Sequence, residues 1–332
     1  MAESLLLSLL VVAAVSFAAS GLFVFVAHRL ALFDLPNQRS SHQLPVPRGG
    51  GVAIVLVTST AYLWLRPIGL SALDTLFLCG GIIAVVAFLD DLRSLPAWVR
   101  FAGYSGCAVL FLWLAVTPSQ VAELAPFAVV INYVMLFIAI MWSSNLYNFM
   151  DGIDGLAAGQ AIVVLLGAAS LLIWGQGQLV YTLPMLVLAS AVLGFLPVNW
   201  APARLFMGDA GSVYLGFMLA GFALLTVTAE LLGLVTWLIL LGLFISDASY
   251  TLIWRIASGQ RFLEAHRLHL YQRLTDRWNS HTRVVLIFMA VNILWLLPLA
   301  WAAEVWPEAA VWLFILAYSS LLLAMVKFRH LK

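Results

Sequence analysis

Charged residues are scarce in this chain. Of its 332 residues 9% are Asp, Glu, Lys or Arg, whereas 64% are hydrophobic. An ordinary soluble domain has about a quarter charged and about half apolar residues, so no water-soluble fold could cover this much apolar surface. The formal net charge of +1 also excludes nucleic-acid binding, because that function needs a strongly basic face. The composition therefore predicts a protein whose solvent is the lipid bilayer.

Cysteine is nearly absent as well. Cys79 and Cys107 lie inside apolar runs, where cysteine ordinarily behaves as a small hydrophobic residue. The sequence therefore gives no support to a disulfide framework or a zinc centre. A cleavable secretory signal is not indicated either, because the first apolar run, 4–27, is long and lacks a basic segment before it. We expect that run to be a retained membrane helix.

Long apolar runs are what the sequence has in abundance. A bilayer core about 30 Å thick needs roughly 20 apolar residues per helical span. Such runs occupy 4–27, 49–65, 70–89, 99–116, 127–146, 157–174, 179–195, 211–229, 232–254, 284–303 and 309–326. We therefore predict an all-α polytopic integral membrane protein with about ten or eleven transmembrane helices. No internal repeat or low-complexity linker is visible, so residues 1–332 are expected to form one membrane-embedded domain.

The basic residues predict the orientation of these helices. If the N-terminus is periplasmic, Arg66 is the only Lys or Arg left on the outer side, and the inner loops and the C-terminal tail carry the others. By the positive-inside rule, the long segments 28–48 and 255–283 are then cytoplasmic. We expect the functional loops on that side.

One apolar run is too long for a simple span. Run 232–254 continues through Trp254 to Arg255 and so ends in an interfacial aromatic and basic belt. We predict that this helix bends away from the bundle and opens a groove for a lipid chain.

Acidic residues stand at the ends of the apolar runs. A carboxylate at membrane depth is a functional hypothesis by default, because its desolvation must be offset by a cation, a proton or water. Asp90 and Asp91 close the third run. Since adjacent helical residues point about 100° apart, one can face a metal or substrate while the other faces a base such as Arg93. A helix end solvated by water and Arg93 explains this pair equally well.

The segment 145–155 adds amides and carboxylates at regular spacing. Asn145, Asn148, Asp151 and Asp154 recur every three residues, which on a helix places them along one side. Such oxygen ligands suit Mg²⁺, which takes few protein oxygens and completes its shell with water and phosphate. The glycines that follow the aspartates are equally explained as turn residues.

Two further polar segments complete the set. Asp209 precedes an apolar run, where Ser212 can cap the helix and leave the carboxylate free for a metal; a solvated loop is the alternative. A later loop clusters His266, Arg267 and His269, which suit phosphate and almost as well a lipid headgroup. Carboxylates, Mg²⁺ and basic groups together predict phosphoryl transfer, because metal and arginine neutralise charge on the transferring group.

An ion-coupled transporter is the main alternative, since carriers also combine many helices with intramembrane carboxylates. Carrier sites lie near the bilayer midplane, often between repeated halves, whereas these acids are predicted at one membrane surface and no repeat is visible. A receptor or scaffold gives no reason for the aspartates to converge. The location of the acids therefore favours an enzyme.

Five motifs, in order along the chain, resemble those of the polyprenyl-phosphate N-acetylhexosamine-1-phosphate transferases. They are Pro47-Arg-Gly-Gly-Gly, Asp90-Asp91, Asn145-x-x-Asn-x-x-Asp-Gly-x-Asp-Gly, Phe206-Met-Gly-Asp-Ala-Gly-Ser and the histidine-containing loop. The resemblance implies that undecaprenyl phosphate attacks a UDP-N-acetylamino sugar, giving a lipid diphosphate sugar and UMP with Mg²⁺, for which Mn²⁺ can substitute. It also implies a multi-pass protein of the bacterial inner membrane and, in some members, a homodimer.

The resemblance further assigns roles to individual residues. It implies that Asp209 is the main Mg²⁺ ligand, with Asn148 near the same ion. Asp90 or Asp91 is expected to deprotonate the lipid phosphate or help hold the ion, and Asp151 joins them as a catalytic residue. The implied substrate contacts are Phe206 on the uracil ring, Asn199 and Asp154 at its edge, and His266, Arg267 and His269 on the diphosphate or sugar.

Two departures indicate a branch of the family. Many relatives carry lysine three residues after the second aspartate, but Ser94 stands there and the nearby base is Arg93. The basic loop reads His266-Arg-Leu-His rather than the contiguous histidines of the cell-wall enzyme, which disfavours a MurNAc-pentapeptide substrate. The loop resembles the branch that initiates O-antigen lipopolysaccharide chains with GlcNAc, FucNAc or QuiNAc donors.

Overall fold

The computed structural model describes residues 2–36, 44–65, 71–117, 129–175, 179–260 and 266–328. Helices dominate them, because a segment inside a bilayer must satisfy its backbone polar groups internally. The helices are α1 (Ala2–Arg29), α2 (Gly51–Leu65), α3 (Ala72–Arg93), α4 (Ala97–Ala115), α5 (Val129–Met150), α6 (Leu156–Gly175), α7 (Leu179–Asn199), α8 (Asp209–Thr228), α9 (Leu234–Leu240), α10 (Gly242–Ala257), α11 (Leu270–Trp278), α12 (His281–Val291), α13 (Leu297–Val305) and α14 (Ala310–Phe328), with a π-helical turn at Asn292–Leu296 and a 3₁₀ turn at Pro307–Ala309.

Most of these helices are long enough to cross a membrane. Within the described ranges, nine helical segments are sufficiently long and apolar, counting α12, the π turn and α13 as one segment, and α9 with α10 makes a tenth. The shorter apolar α2 has 15 residues. Each predicted apolar run therefore contains a helix, and the prediction of an all-α polytopic membrane protein is confirmed.

The long run near 232–254 does bend. It is broken at Leu241 into α9 and α10, whose axes differ by 75°. Glu304 of α13 holds the start of α9 in place, because its Oε2 accepts hydrogen bonds from Gly233 N–H at 3.1 Å and from the Thr236 hydroxyl at 2.6 Å. The run is therefore bent, whereas the predicted direction away from the bundle and the lipid groove stay predictions.

Helices α6 and α8 form the centre of the bundle, with 83% of the most apolar stretch of each buried, against 17% for α1 and α14. Small residues permit the close approach that membrane helices need. A Cβ on Gly216 of α8 would lie 2.5 Å from the Ser143 carbonyl oxygen of α5, and one on Gly221 would lie 2.1 Å from Leu76 of α3. Helix α8, which begins with Asp209, is therefore fixed within the buried core of the bundle.

One amide pair lies inside this apolar core. Gln160 of α6 and Asn292 at the π turn bond reciprocally, with Asn292 Nδ2 at 2.7 Å from Gln160 Oε1 and Gln160 Nε2 at 3.2 Å from Asn292 Oδ1. Asn292 also donates to the Phe288 carbonyl at 2.8 Å. Because hydrocarbon offers no other partners, the pair holds α6 against the segment 281–305.

A short antiparallel ribbon connects α1 to α2. Strand β1 (Phe33–Asp34) pairs with β2 (Val46–Pro47), with Phe33 opposite Pro47. The ribbon directs the glycine segment 49–51 to the end of the helix bundle where the ends of α3, α5 and α7 and the start of α8 also lie.

Candidate active site

Two motifs that lie far apart in the chain are joined by backbone hydrogen bonds. Gly50 N–H donates to the Phe206 carbonyl at 2.9 Å, and Gly51 N–H donates to the Met207 carbonyl at 2.8 Å. Phe206 N–H donates in return to the Pro47 carbonyl at 2.8 Å. The segment 47–51 therefore forms a wall beside the segment that ends in Asp209.

Glycine is required in this wall by close packing. A Cβ on Gly51 would lie 2.2 Å from Gly211 Cα, so the start of α2 touches the start of α8 through backbone alone. Gly208 has a φ of +73°, a conformation that other residues rarely adopt, and a Cβ there would lie 2.8 Å from Asp91 Oδ2. The glycines thus admit the Asp91 carboxylate to the start of α8.

Asp91 is bound at the N-terminus of α8. Its carboxylate accepts N–H bonds from Asp209 at 3.5 Å and from Ala210 at 3.3 Å. The Arg48 guanidinium donates to the Asp91 carbonyl and lies 4.0 Å from the carboxylate. A helix N-terminus and a guanidinium both stabilise negative charge, so these groups offset part of the cost of burying a charged carboxylate at Asp91.

Asp90 points to different partners. Its Oδ1 accepts the Leu95 N–H at 2.6 Å, and its Oδ2 lies 2.8 Å from Arg100 Nη1. The same Arg100 nitrogen is 3.9 Å from Asp209 Oδ2, so this arginine bridges two of the predicted site aspartates. The two adjacent aspartates do diverge, but the base beside Asp90 is Arg100 of α4 and not Arg93.

Asp209 and Asn148 are in direct contact, and their shared role at Mg²⁺ stays a prediction. Asn148 Nδ2 donates to Asp209 Oδ1 at 2.8 Å and to Ser212 Oγ at 3.1 Å. The Asp209 side chain is 32% exposed, against 10% for Asp90 and 6% for Asp91. A solvated ion or a phosphate therefore reaches Asp209 most easily.

Asp151 lies in the turn between α5 and α6. Burial, and then the charges of Asp209, Asp91 and Asp154, raise the pKa of Asp151 well above its usual range. Within the described part of the chain no residue donates a hydrogen bond to this carboxylate. Four aspartates thus lie close enough to repel one another, an arrangement that a bound cation would relieve.

The histidine loop is anchored by another buried aspartate. Asp247 of α10, 1% exposed, accepts the backbone N–H groups of Leu270 at 2.8 Å and Tyr271 at 3.2 Å, which begin α11. Its Oδ1 also lies 3.4 Å from His269 Nδ1. Tyr271 in turn donates its hydroxyl to the Phe149 carbonyl at 3.0 Å. The histidine loop is therefore fastened to the turn that carries Asp151.

His266 and Arg267 extend from this anchor. The His266 ring centroid is 4.9 Å from that of His269, and Arg267 Nη2 lies 2.7 Å from Asp276 Oδ1. Burial, with His269 and Arg255 nearby, lowers the pKa of His266 to about 4. His266 is then neutral at pH 7 until an anion approaches and favours the protonated ring.

The residues assigned to the nucleotide edge hold backbone segments together. Asn199 is 3% exposed; its Oδ1 accepts the Gly155 N–H at 3.0 Å and its Nδ2 donates to the Leu205 carbonyl at 3.0 Å. Asp154 Oδ2 accepts the Ala203 N–H at 3.1 Å. The half-buried Phe206 lies on the same segment, after Leu205. Direct contacts of these side chains with a nucleotide stay a prediction.

The donor set fits Mg²⁺. Within the residues that the structure describes, no three His, Cys, Asp or Glu side chains form a ready-made metal cage. Mg²⁺ does not need one, because it is usually held by one or two carboxylates with water and substrate phosphates. Asp209 and Asn148 supply hard oxygen atoms without a thiol, and Asp91 adds a carboxylate beside Asp209. These residues would hold the ion.

Tyr104 adds a buried polar atom near this set. It follows Arg100 by one turn of α4, so both side chains lie on one helix face, and it interacts electrostatically with Asp209, Asp90 and Asp91. Tyr104 is 7% exposed, and no described residue is a hydrogen-bond partner of its hydroxyl. A metal-bound water or a phosphate oxygen would satisfy it.

Several of these residues were not assigned to the site from the sequence: Arg48, Arg100, Tyr104, Asp247 and Tyr271, and also His281, whose Nδ1 lies 3.2 Å from Asp154 Oδ2. Arg48 stands inside the motif Pro47-Arg-Gly-Gly-Gly, and this position was the only sequence feature that could have assigned it to the site. The others belong to helices whose partners are distant in sequence, and no spacing reveals such contacts.

The fold defines a class, the polytopic all-α membrane proteins, and comparison with known proteins identifies the family within it. A family model described as glycosyl transferase family 4 matches residues 74–227. The phospho-N-acetylmuramoyl-pentapeptide-transferase of Geobacillus kaustophilus is 33% identical over 290 residues, covering 80% of this chain and 86% of that protein. The decaprenyl-phosphate N-acetylglucosaminephosphotransferase of Mycobacterium leprae is 30% identical over 319 residues, 86% of this chain and 80% of that protein.

A third relative is the probable undecaprenyl-phosphate N-acetylglucosaminyl 1-phosphate transferase of Bacillus subtilis. It is 29% identical over 296 residues, which cover 87% of this chain and 81% of that protein. The chain therefore belongs to glycosyl transferase family 4, the polyprenyl-phosphate hexosamine-1-phosphate transferases. It is a glycosyl-1-phosphate transferase and a multi-pass protein of the bacterial inner membrane.

Proposed function

We propose that this protein transfers an N-acetylamino-sugar 1-phosphate from a UDP-sugar to undecaprenyl phosphate with Mg²⁺, and that it thereby starts an O-antigen type of lipid-linked glycan. The observation that carries the proposal is the meeting of Asp91, Asp151 and Asp209 with Arg48 and Arg100 at one end of the helix bundle. Such a site suits two anionic substrates, one of them held in the membrane.

The reaction balances without any further reactant. An oxygen of the lipid phosphate attacks the phosphorus that bears the sugar, a new P–O bond forms, and the bond to the UMP oxygen breaks. Bound Mg²⁺ supplies charge neutralisation on the transferring phosphoryl group. Arg100 and Arg48 add fixed positive charge on the same side, which is the main catalytic demand of such reactions.

The proton of the lipid phosphate needs an acceptor. The carboxylates of Asp90 and Asp91 already accept hydrogen bonds from the protein, whereas that of Asp151 accepts none from any described residue. Burial raises the pKa of Asp151 well above its usual range, which makes this carboxylate a stronger base than an ordinary aspartate. These contacts favour Asp151 as the base over the adjacent pair.

The choice of donor sugar rests on the basic loop. Its His266-Arg-Leu-His pattern resembles the O-antigen-initiating branch, and two of the relatives named above are described as N-acetylglucosaminyl phosphate transferases. We therefore propose GlcNAc or a 6-deoxy relative such as FucNAc or QuiNAc as the sugar. The positive-inside rule favours a cytoplasmic site, where a UDP-sugar would enter.

The test is UMP release by the purified protein in detergent with undecaprenyl phosphate, Mg²⁺ and a panel of UDP-amino sugars. We expect UMP with one or a few sugars, no product with EDTA, and a fall of kcat of about 10²-fold or more in Asp209→Asn. Glu308→Gln is the matched control, because Glu308 is an exposed acid in the turn before α14. If folded wild-type protein releases no UMP from any sugar, the proposed function is wrong.

A further inference from the structure

His281 contacts the predicted nucleotide side of the site. It begins α12, and its Nδ1 lies 3.2 Å from Asp154 Oδ2 and 3.3 Å from the Asp154 backbone nitrogen. The two side chains are 16% and 11% exposed, so the pair is largely withdrawn from solvent. Polar contacts of this kind are stronger where water is excluded.

The partner of His281 is part of a wider network. Asp154 Oδ2 also accepts the Ala203 N–H at 3.1 Å. The next residue, Gly155, donates its N–H to Asn199, which holds the Leu205 carbonyl. Through Asp154, His281 therefore joins the start of α12 to the turn before α6 and to the loop 200–206 that carries Phe206.

The same contact completes the attachment of α11. At the N-terminal end of α11, the Tyr271 hydroxyl is bonded to the Phe149 carbonyl at 3.0 Å. At its C-terminal end, Asn279 turns the chain in a left-handed conformation, φ +46°, and two residues later His281 contacts Asp154. Helix α11 is thus held at both ends against the segment 149–154.

We propose that His281 is a positioning residue for the nucleotide sugar, which orients the Asp154 carboxylate and the loop 200–206 through its Nδ1 atom. The inference rests on the proposed function, since it assumes that this side of the site receives the UDP moiety. His281 does not touch the lipid phosphate in this role. Its loss should therefore weaken nucleotide binding and leave acceptor binding unchanged.

The geometry provides a selective test, because both contacts of His281 use Nδ1. Asparagine places a polar atom at the position of Nδ1, whereas glutamine places its amide at the position of Nε2 and leaves a methylene group near Asp154. We expect His281→Asn to bind UDP-sugar nearly as the wild type does. In His281→Gln and His281→Ala the KM for UDP-sugar should rise about tenfold, the value of one charge-assisted hydrogen bond.

Two measurements separate positioning from simple structural support. The KM for undecaprenyl phosphate and the melting temperature should change little in all three variants, and UMP affinity, measured by calorimetry without the lipid acceptor, should fall in parallel with the KM effect. His28→Gln is the matched control, because His28 lies in the last turn of α1, is exposed, and contacts the Val24 carbonyl at 2.8 Å.

The outcomes are distinct. If His281→Gln keeps wild-type KM and UMP affinity, or if the KM for UDP-sugar rises as much in the asparagine variant as in the alanine variant, the inference is overturned. Absence of UMP from wild-type protein with every sugar would instead reject the proposed function.

Discussion

The contact between the starts of α2 and α8 leads to a sharp prediction for Gly51→Ala. The added Cβ would lie 2.2 Å from Gly211 Cα and from its nitrogen, whereas ordinary contact begins near 3.4 Å. Both atoms belong to the backbone and neither can rotate away. The two helices would therefore have to separate by roughly 1.2 Å, because a closer approach is repulsive.

The magnitude follows from what that separation breaks. The bonds from Gly50 and Gly51 to the 206–207 carbonyls, at 2.9 and 2.8 Å, would lengthen beyond hydrogen-bonding distance. Overpacking costs about 1–3 kcal/mol and each of the two lost bonds about 1 kcal/mol, so we expect the free energy of unfolding to fall by about 3–5 kcal/mol. Asp91 and Asp209 would shift as well, and a displacement of about 1 Å can lower kcat about 10²-fold.

The assay is thermal unfolding in detergent followed by tryptophan fluorescence, together with kcat for UMP release. We expect the melting temperature of Gly51→Ala to fall by about 5 °C or more. Gly81→Ala is the control, because Gly81 also lies in a helix and a Cβ there meets nothing within 4 Å. A Gly51→Ala protein with wild-type melting temperature and kcat would show that the two backbones are not in contact.

Three further predictions follow from single contacts. Gln160→Leu and Asn292→Leu should each destabilise the protein, and their double-mutant cycle in thermal unfolding should give a coupling of about 0.6–1.7 kcal/mol; additive effects would contradict the reciprocal amide pair. Tyr271→Phe removes the hydrogen bond to the Phe149 carbonyl, just before the turn that carries Asp151, so the KM for UDP-sugar should rise several-fold. An unchanged KM would show that the attachment of α11 does not affect substrate binding. Tyr104→Phe should lower kcat about tenfold without lowering the melting temperature, because the lost hydroxyl has no described protein partner; wild-type kcat would show that the hydroxyl meets neither substrate nor metal. Tyr318→Phe serves both tyrosine tests as control, since its hydroxyl is bonded to the Leu238 carbonyl in a remote part of the bundle.

The site shows how far patterns along a chain can be taken. The spacing of Asn148 and Asp151, and the motif that ends in Asp209, were enough to place these residues in one predicted site, and Asn148 does bond to Asp209 at 2.8 Å. The role of each residue within the site was harder to predict from the sequence. Asn199 has a polar side chain beside a recognised motif, yet both ends of its amide hold backbone groups in the interior.

The adjacent aspartates make the same point. From the sequence Asp90 and Asp91 are interchangeable, and Arg93 is their nearest base. In the fold Asp90 is bonded to Arg100 of the next helix, whereas Asp91 receives the N–H groups of α8. The decision between them depends on where α4 and α8 begin in space, and no local pattern contains that information.

What the sequence by itself determined is the bilayer as solvent, the helices and the family. Hydropathy is summed over contiguous residues, and motifs are read along the chain, so both are local properties. Only the tertiary structure decided which carboxylates accept hydrogen bonds from described residues and which, like Asp151, accept none, and that Asp247 anchors the histidine loop. Charge pairing depends on distances of a few ångströms between segments far apart in sequence, and packing of the helices sets those distances.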